Sequence, residues 1–98
     1  MLFLAIQRHK AQDCPGREPK HLKEMSEMLS RDALGKKGLQ FLDAYVDHAC
    51  MVQASGPDHV CAFVLEGESE KSVSDAFRPF PVEVRPMVGW STYLGKPR

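Results

Sequence analysis

An almost unbroken apolar run, Leu2–His9, stands near the start of the chain and becomes polar in its last residues. A short run of this kind is typical of a strand that is covered on at least one face. The period then changes to that of an amphipathic helix, which we expect to begin near Pro19 because proline fits a first helical turn. The apolar positions of this helix are Leu22, Met25, Leu29 and Ala33.

The middle of the chain contains two different apolar patterns. A helical spacing of apolar residues resumes at Leu39, Leu42 and Val46. We therefore expect a bent helix or two successive helices in this segment rather than a strand. Two β-rich runs follow, His48–Ser55 and His59–Glu66, with Gly56-Pro57-Asp58 between them. Such runs around a short turn sequence predict an antiparallel hairpin.

The last third predicts a helix, a strand and a tail. Ser69–Arg78 has apolar residues on one face, a serine as candidate N-cap and prolines just beyond its end. Val82–Val88 alternates apolar with polar residues, which predicts a strand. The remaining segment, Gly89–Arg98, carries Trp90 and Tyr93 and is expected to extend away from the sheet.

These elements predict an α+β fold in the order β-α-β-β-α-β, which is the ferredoxin-like arrangement. Right-handed crossovers would place strands one and three at the centre of a four-stranded antiparallel sheet, strand four beside one and strand two beside three. Both helices would then lie on a single face. We expect one domain over residues 1–98, with 89–98 as its extended C-terminal tail.

Composition and charge narrow the classes of partner. The 13 basic and 13 acidic side chains balance and form no long block, which disfavours nucleic acid. No apolar run approaches the roughly 20 residues of a membrane-spanning helix, and no basic leader precedes an apolar segment. We therefore expect a cytoplasmic protein with no membrane partner.

The odd number of cysteines, three, argues against a disulfide framework. No Gly-rich phosphate loop, serine-hydrolase elbow or His-Glu-x-x-His helix occurs, so we expect no nucleotide, serine-hydrolase or zinc-protease function.

Alternation along the strands assigns side chains to the two faces of the expected sheet. The face expected beneath the helices is aliphatic and comprises Leu2, Leu4, Ile6, Cys50, Val52, Val60, Ala62, Val64, Val82 and Val84. The opposite, mixed face comprises Phe3, Ala5, Gln7, His9, Met51, Gln53, Cys61, Phe63, Leu65, Glu83, Arg85 and Met87. An exposed apolar patch of this size usually marks an interface or a ligand groove. We therefore expect the mixed face to be covered by a second copy and to hold a small organic ligand.

The element order and face composition resemble the dimeric α+β-barrel superfamily of ferredoxin-like proteins. Several segments also resemble a group of small, uncharacterised bacterial proteins within it: Met-Leu-Phe-Leu, a first strand ending in histidine, Asp13-Cys14-Pro15-Gly16 and Gly56-Pro57-Asp58-His59-Val60. The resemblance spans roughly residues 2–88 and implies a homodimer, with Trp90 and Tyr93 reaching across it. For an enzyme it implies cofactor-independent isomerase, cyclase or monooxygenase-like chemistry.

Three residues of the mixed face are the candidate catalytic groups. His9 would act as acid or base, Glu83 would orient it, and Arg85 would bind an oxyanion. The candidate ligand-binding residues around them are Gln7, Phe3, Met51, Gln53, Cys61, Phe63, Met87 and Trp90. The competing interpretation assigns Glu83 and Arg85 to salt bridges in a non-catalytic oligomerisation or sensing module.

The histidines and cysteines raise a transition-metal site as a further alternative. The possible ligand groups are His9 with Cys14, His48 with Cys50, and His59 with Cys61. The paired spacing of a structural zinc site is absent, however, and the expected hairpin places the last two groups on opposite faces. The preferred interpretation from the sequence therefore assigns no metal ligand, and metal binding through His, Cys and Glu side chains is its rival.

Overall fold

Four strands form one antiparallel sheet in the computed structural model of the protein, which describes residues 1–95. The strands are β1 (Leu2–His9), β2 (Gln40–Val46), β3 (His59–Glu66) and β4 (Glu83–Met87). Their order across the sheet is β2-β3-β1-β4, so β3 and β1 are central and β2 and β4 form the edges. The expected α+β class and the four-stranded antiparallel sheet are confirmed.

Short helices connect the strands. They are α1 (Pro19–Met28), α2 (Arg31–Gly35), α3 (His48–Val52), α4 (Glu70–Ala76) and α5 (Trp90–Tyr93), with 3₁₀ turns at Ala11–Asp13 and Pro15–Arg17. Side chains cap three of them: Ser30 begins α2, Asp47 begins α3, and Ser69 begins α4 with a reciprocal capping box. Within residues 1–95, no helix is both long and apolar enough to cross a membrane.

The expected helix over Leu39–Val46 is wrong, because this segment forms β2. It pairs with β3, with Phe41 opposite Leu65 and Tyr45 opposite Ala62. The register shifts between Phe41 and Asp43, so Leu42 is an extra residue that interrupts the period of two. This irregularity explains why the apolar residues of a strand imitate a helical spacing.

The expected strand His48–Ser55 is also wrong. Its first residues form α3, and Gln53 ends the helix with a left-handed φ of 54°. Asp47 fixes this connection, since its carboxylate accepts from Ala49 N at 2.9 Å and from Val60 N at 2.9 Å. The strands β2 and β3 are therefore joined through a helix rather than by a tight hairpin. A short apolar run does not distinguish a strand from a helical turn. The Asp47 cap favours the helix in this segment.

The two faces of the central strands are the reverse of those expected. The side chains beneath the helices are Phe3, Ala5, Gln7, Cys61, Phe63 and Leu65, all of them buried. They pack with Leu34 of α2 and with Val73 of α4, so both helices cover this face. Leu2, Leu4, Ile6, Ala62 and Val64 therefore lie on the open face.

The reversal has a simple cause. Both sets of alternating side chains on β1 and β3 are apolar, so the period of two defines the sets but does not say which set meets the helices. The structure selects the set that contains the phenylalanines, which fill the space below the helices. Val82, Val84 and Cys50 do pack against this core, as expected.

The expected extended tail begins with a helical turn. Residues 90–93 form α5, and the Trp90 and Tyr93 rings stack with their centroids 5.9 Å apart. Both rings are exposed. The last part of the expected tail, residues 96–98, lies outside the described residues.

Candidate metal centre

Two histidines and two cysteines bring their side chains together at one end of the sheet. The possible ligand atoms of His9, Cys14, Cys50 and His59 all lie within 4.8 Å of one another. Cys50 Sγ is 3.6 Å from His9 Nε2 and 3.4 Å from His59 Nδ1. A tetrahedral zinc ion, with Zn–S of about 2.3 Å and Zn–N of about 2.0–2.1 Å, holds sulfur and nitrogen about 3.6 Å apart. The cluster therefore has nearly the dimensions of a four-coordinate zinc site.

The sheet register places the two imidazoles side by side. His9 is the last residue of β1 and His59 is the first residue of β3, and the two form a directly opposed cross-strand pair. Opposed residues on neighbouring strands share a face of the sheet. Their rings meet edge to face with centroids 5.2 Å apart, so both point to the helix-covered side.

Both cysteines reach the histidines from the segments beyond the sheet. Cys14 lies between the two 3₁₀ turns that follow β1, and Cys50 lies in α3. Gly16 lets the Cys14 loop approach α3 closely. A Cβ atom at Gly16 would lie 2.9 Å from Gln53 Nε2 and 3.4 Å from Cys50 O, so a side chain there would displace the Gln53 amide that contacts Cys14.

Each histidine has a hydrogen-bond partner on the ring nitrogen that faces away from the cluster. His59 Nε2 lies 2.9 Å from the Ala54 carbonyl oxygen, which can only accept, so Nε2 carries the proton and Nδ1 presents a lone pair. His9 Nδ1 lies 3.0 Å from Gln7 Oε1, which likewise leaves Nε2 free toward Cys50. Metal-binding histidines almost always have such a second partner, because it fixes the tautomer and the ring orientation.

The two thiols have different electrostatic surroundings. Burial raises the pKa of Cys14, but hydrogen bonds from Gln53, from the Gly16 amide and from the two imidazoles outweigh it and lower the pKa to about 6. Burial raises the pKa of Cys50 to about 12, with further contributions from Cys61 and Cys14. Without a cation, the cluster therefore favours one thiolate over two.

Gln53 is the donor that holds Cys14. Its Nε2 lies 3.4 Å from Cys14 Sγ and donates to Cys50 O at 2.7 Å, while its Oε1 accepts from Arg17 Nε at 3.1 Å.

Hydrogen bonding to the Ala54 carbonyl raises the pKa of His59, and contact with Cys14 raises it further. In the metal-free protein, a negative Cys14 sulfur therefore favours the positively charged form of the His59 ring.

A pocket of about 550 Å³ adjoins the cluster, between the helix-covered face of the sheet and α1. Its lining is largely apolar and includes Leu22, Met25, Leu29, Phe41 and Phe63. His9, Cys14 and Cys50 also line it, so the cluster forms part of the pocket wall.

The structure brings together some of the residues expected at the site. Gln7, His9, Met51, Cys61 and Phe63 all line the pocket. The other expected ligand-binding residues lie elsewhere: Phe3 in the core, Gln53 behind Cys14, and Met87 and Trp90 on exposed surface.

The structure does not bring His9 together with Glu83 and Arg85. Glu83 lies opposite Ile6 in the sheet, on the open face, whereas His9 points to the helix-covered face. Glu83 instead accepts a hydrogen bond from Arg8 at 3.1 Å and forms a salt bridge with Arg85 at 2.9 Å. The expected grouping failed because Glu83 and Arg85 follow the alternation of Leu2, Leu4 and Ile6 rather than that of Gln7.

Sequence reasoning named all four cluster residues but did not join them. The expected hairpin placed Cys50 on a strand that faced away from His59, and α3 is what turns it inward. A usable signal was present in Asp47, which begins α3 and thereby orients the following turn toward β3.

Comparison with known proteins gives no match, whether with family models, curated proteins or solved structures.

The unequal thiol environments predict a stepwise titration of the metal-free protein. As pH rises through about 6, the Cys14 thiol should ionise, since its folded pKa lies at about 6, while Cys50 stays protonated because its pKa lies at about 12. Ultraviolet thiolate absorbance against pH measures this step. Cys14→Ser should remove it and Cys61→Ser should leave it. A first thiolate step near the ordinary thiol value of about 8.5 would contradict the assignment.

Proposed function

We propose that this protein binds a zinc-like transition-metal ion through His9 Nε2, Cys14 Sγ, Cys50 Sγ and His59 Nδ1. The observation that carries the proposal is the orientation of the two histidines. Each donates its outer N–H to a fixed oxygen and turns its other nitrogen toward Cys50 Sγ, with Cys14 Sγ within 4.8 Å of both nitrogens. Two imidazoles with fixed tautomers and two sulfurs, all with their donor atoms within 4.8 Å of one another, match the ligand set of a structural zinc site.

The donor set favours zinc over hard cations. Two sulfurs with two nitrogens suit Zn²⁺, whereas Mg²⁺ and Ca²⁺ prefer oxygen ligands. A bound cation would also allow both thiols of the cluster to ionise, because metal coordination deprotonates a thiol. Cys50, whose pKa is raised to about 12 without metal, would then become a second thiolate.

The metal would cross-link segments that are distant in sequence. It would link the adjoining ends of β1 and β3 to the Cys14 loop and to α3. These two connections lie outside the sheet ladder and contribute few buried side chains, so they gain most from a bond to the sheet. A ligand that binds only the folded chain stabilises it, so metal loading should raise the melting temperature.

The chain supplies matched controls for a metal-binding test. Cys50→Ser and His59→Gln should each reduce zinc affinity by more than about 100-fold, since even outer-shell partners contribute about 10-fold to 100-fold. Cys61→Ser and His48→Gln change the same residue types outside the four ligands and should bind zinc as the unmodified protein does. The measurement is competition of reduced, metal-free protein with a zinc chelator. Thiolate-to-metal charge transfer on Co²⁺ loading then reports sulfur ligation.

A cluster that is held by hydrogen bonds alone predicts a different result. The unmodified protein would then compete no better than Cys50→Ser, and Co²⁺ would give no thiolate charge-transfer band. Either result would contradict the proposed metal site. Cysteines bind metal only when they are not oxidised to disulfides. The proposal is therefore consistent with the cytoplasmic location expected from the sequence, where thiols are kept reduced.

A second proposal concerns the open face of the sheet, where we infer a homodimer interface. The strand order β2-β3-β1-β4, with α2 and α4 on one face, supports the ferredoxin-like arrangement expected from the sequence. The centre of the open face is apolar, with Leu2, Leu4, Ile6, Ala62 and Val64. Such a patch on one side of a sheet is typical of an interaction surface.

The charges on this face favour a second copy as the occupant. Asp43, Val64, Leu4 and Arg85 form one row across the sheet, from the β2 edge to the β4 edge. A two-fold axis parallel to the strands would place β4 of one copy over β2 of the other. Arg85 would then meet the partner's Asp43 at both ends of the row. The exposed rings of Trp90 and Tyr93 would also be available to a partner.

Light scattering with size-exclusion chromatography tests the dimer. The unmodified protein should elute as a dimer at micromolar concentration, and Val64→Glu should convert it to a folded monomer because the carboxylate would be buried against apolar side chains. Met51→Glu introduces the same charge on the pocket side and should leave the dimer unchanged. A monomeric unmodified protein, or a dimer that tolerates Val64→Glu, would contradict this interface.

A further inference from the structure

The pocket beside the metal cluster contains a nearly buried polar group whose role the cluster does not explain. Gln7 is 6% exposed and lies on the pocket wall. Its Oε1 is engaged by His9 Nδ1 at 3.0 Å. Its Nε2 makes no hydrogen bond within residues 1–95. Every fully buried side-chain nitrogen or oxygen there has a partner, so Nε2 is not fully buried and remains accessible. The Gln7 amide therefore presents a free N–H donor to the pocket.

The orientation of this amide follows from the histidine. When His9 Nε2 faces the sulfurs, Nδ1 carries the proton and needs an acceptor, which only Oε1 of Gln7 can be. The NH₂ group must then point away from His9. A nearly buried donor without a partner is costly unless a ligand or water accepts from it. The donor is thus fixed in place by the same contact that orients His9.

The rest of the pocket limits the chemistry of its occupant. Leu22, Met25, Leu29, Phe41 and Phe63 supply apolar walls, and the volume of about 550 Å³ lies within the usual range for small-molecule sites. Among the described residues, the pocket wall includes no lysine, arginine, aspartate or glutamate. In the metal-bound form the two thiolates balance the charge of the zinc ion, so a charged ligand would lose its hydration without gaining a counter-ion.

We propose that this pocket binds a neutral, largely apolar organic molecule with a carbonyl oxygen, such as a ketone or ester, which accepts a hydrogen bond from Gln7 Nε2. Its apolar part lies between α1 and the phenylalanines of the sheet. The pocket is a binding site in addition to the metal centre. His9, Cys14 and Cys50 belong to both sites, and the Gln7–His9 contact joins the pocket donor to the cluster.

A pair of isosteric probes isolates the hydrogen bond. Hexanophenone carries the carbonyl oxygen, and the matched alkene carries a methylene group in its place. Titration calorimetry should show both binding to the unmodified protein, the ketone about twofold to tenfold more tightly, as one neutral hydrogen bond implies. Shortening the alkyl chain should weaken both by about fourfold per methylene, because each buried methylene contributes about 0.8 kcal/mol.

Two substitutions of Gln7 test the donor. Gln7→Glu keeps an oxygen acceptor for His9 but lacks the N–H donor, so the preference for the ketone should disappear. Gln7→Met, which is close in size and has neither group, should also remove the preference and covers the case in which the buried carboxylate prevents folding. Zinc affinity measured on the same samples separates loss of the pocket donor from loss of the metal site.

Two tryptophan substitutions test the location. Met25→Trp fills the pocket from α1 and should abolish binding of both probes, whereas Met87→Trp adds the same ring on the open face and should leave both affinities unchanged. The proposal is overturned if neither probe binds the unmodified protein, if ketone and alkene bind equally, or if Met25→Trp binds both probes unchanged. None of these outcomes bears on zinc binding, so failure here and failure of the metal proposal remain distinguishable.

Discussion

The direct pairing of His9 with His59 across the central strands is the constraint on which the rest of the site depends. Strand register alone places the two rings on one face with their centroids 5.2 Å apart. A slip of one residue between β1 and β3 would turn one ring to the other face and remove the cluster. The long ladder that β1 and β3 share, from Leu2 to His9, prevents such a slip and holds the imidazoles rigidly. The more weakly anchored loop and α3 then bring the cysteines to this fixed pair.

The two faces of the sheet have separate roles in this arrangement. The helix-covered face carries the core, the Cys/His cluster and the pocket, and the open face carries an aliphatic centre with paired charges around it. Gln7 connects two of these features, because its oxygen orients His9 and its nitrogen faces the pocket. One glutamine side chain thus links the geometry of the proposed metal centre to the chemistry of the adjoining pocket.

Local patterns predicted the two central strands and the cap of α4, but not β2, α3 or the grouping of the site residues. The strands Leu2–His9 and His59–Glu66 were predicted with their observed bounds, and the Ser69 cap of α4 was recognised. The bulge at Leu42 made β2 resemble a helix, and the short α3 resembled a strand. Gln7 and His9 were identified as site residues, but their partners were sought in Glu83 and Arg85. Cys50 could not be placed without knowing that Asp47 starts a helix, since five residues are too few to show a helical period.

Metal-edge X-ray absorption of the zinc-loaded protein tests the central claim most directly, because it counts the atoms bound to the metal. The His9–Cys14–Cys50–His59 site predicts four ligands, two sulfurs at about 2.3 Å and two nitrogens at about 2.0–2.1 Å, with the outer-shell scattering of imidazole rings. Coordination by nitrogen and oxygen alone, or by a single sulfur, would contradict a centre built from these four residues.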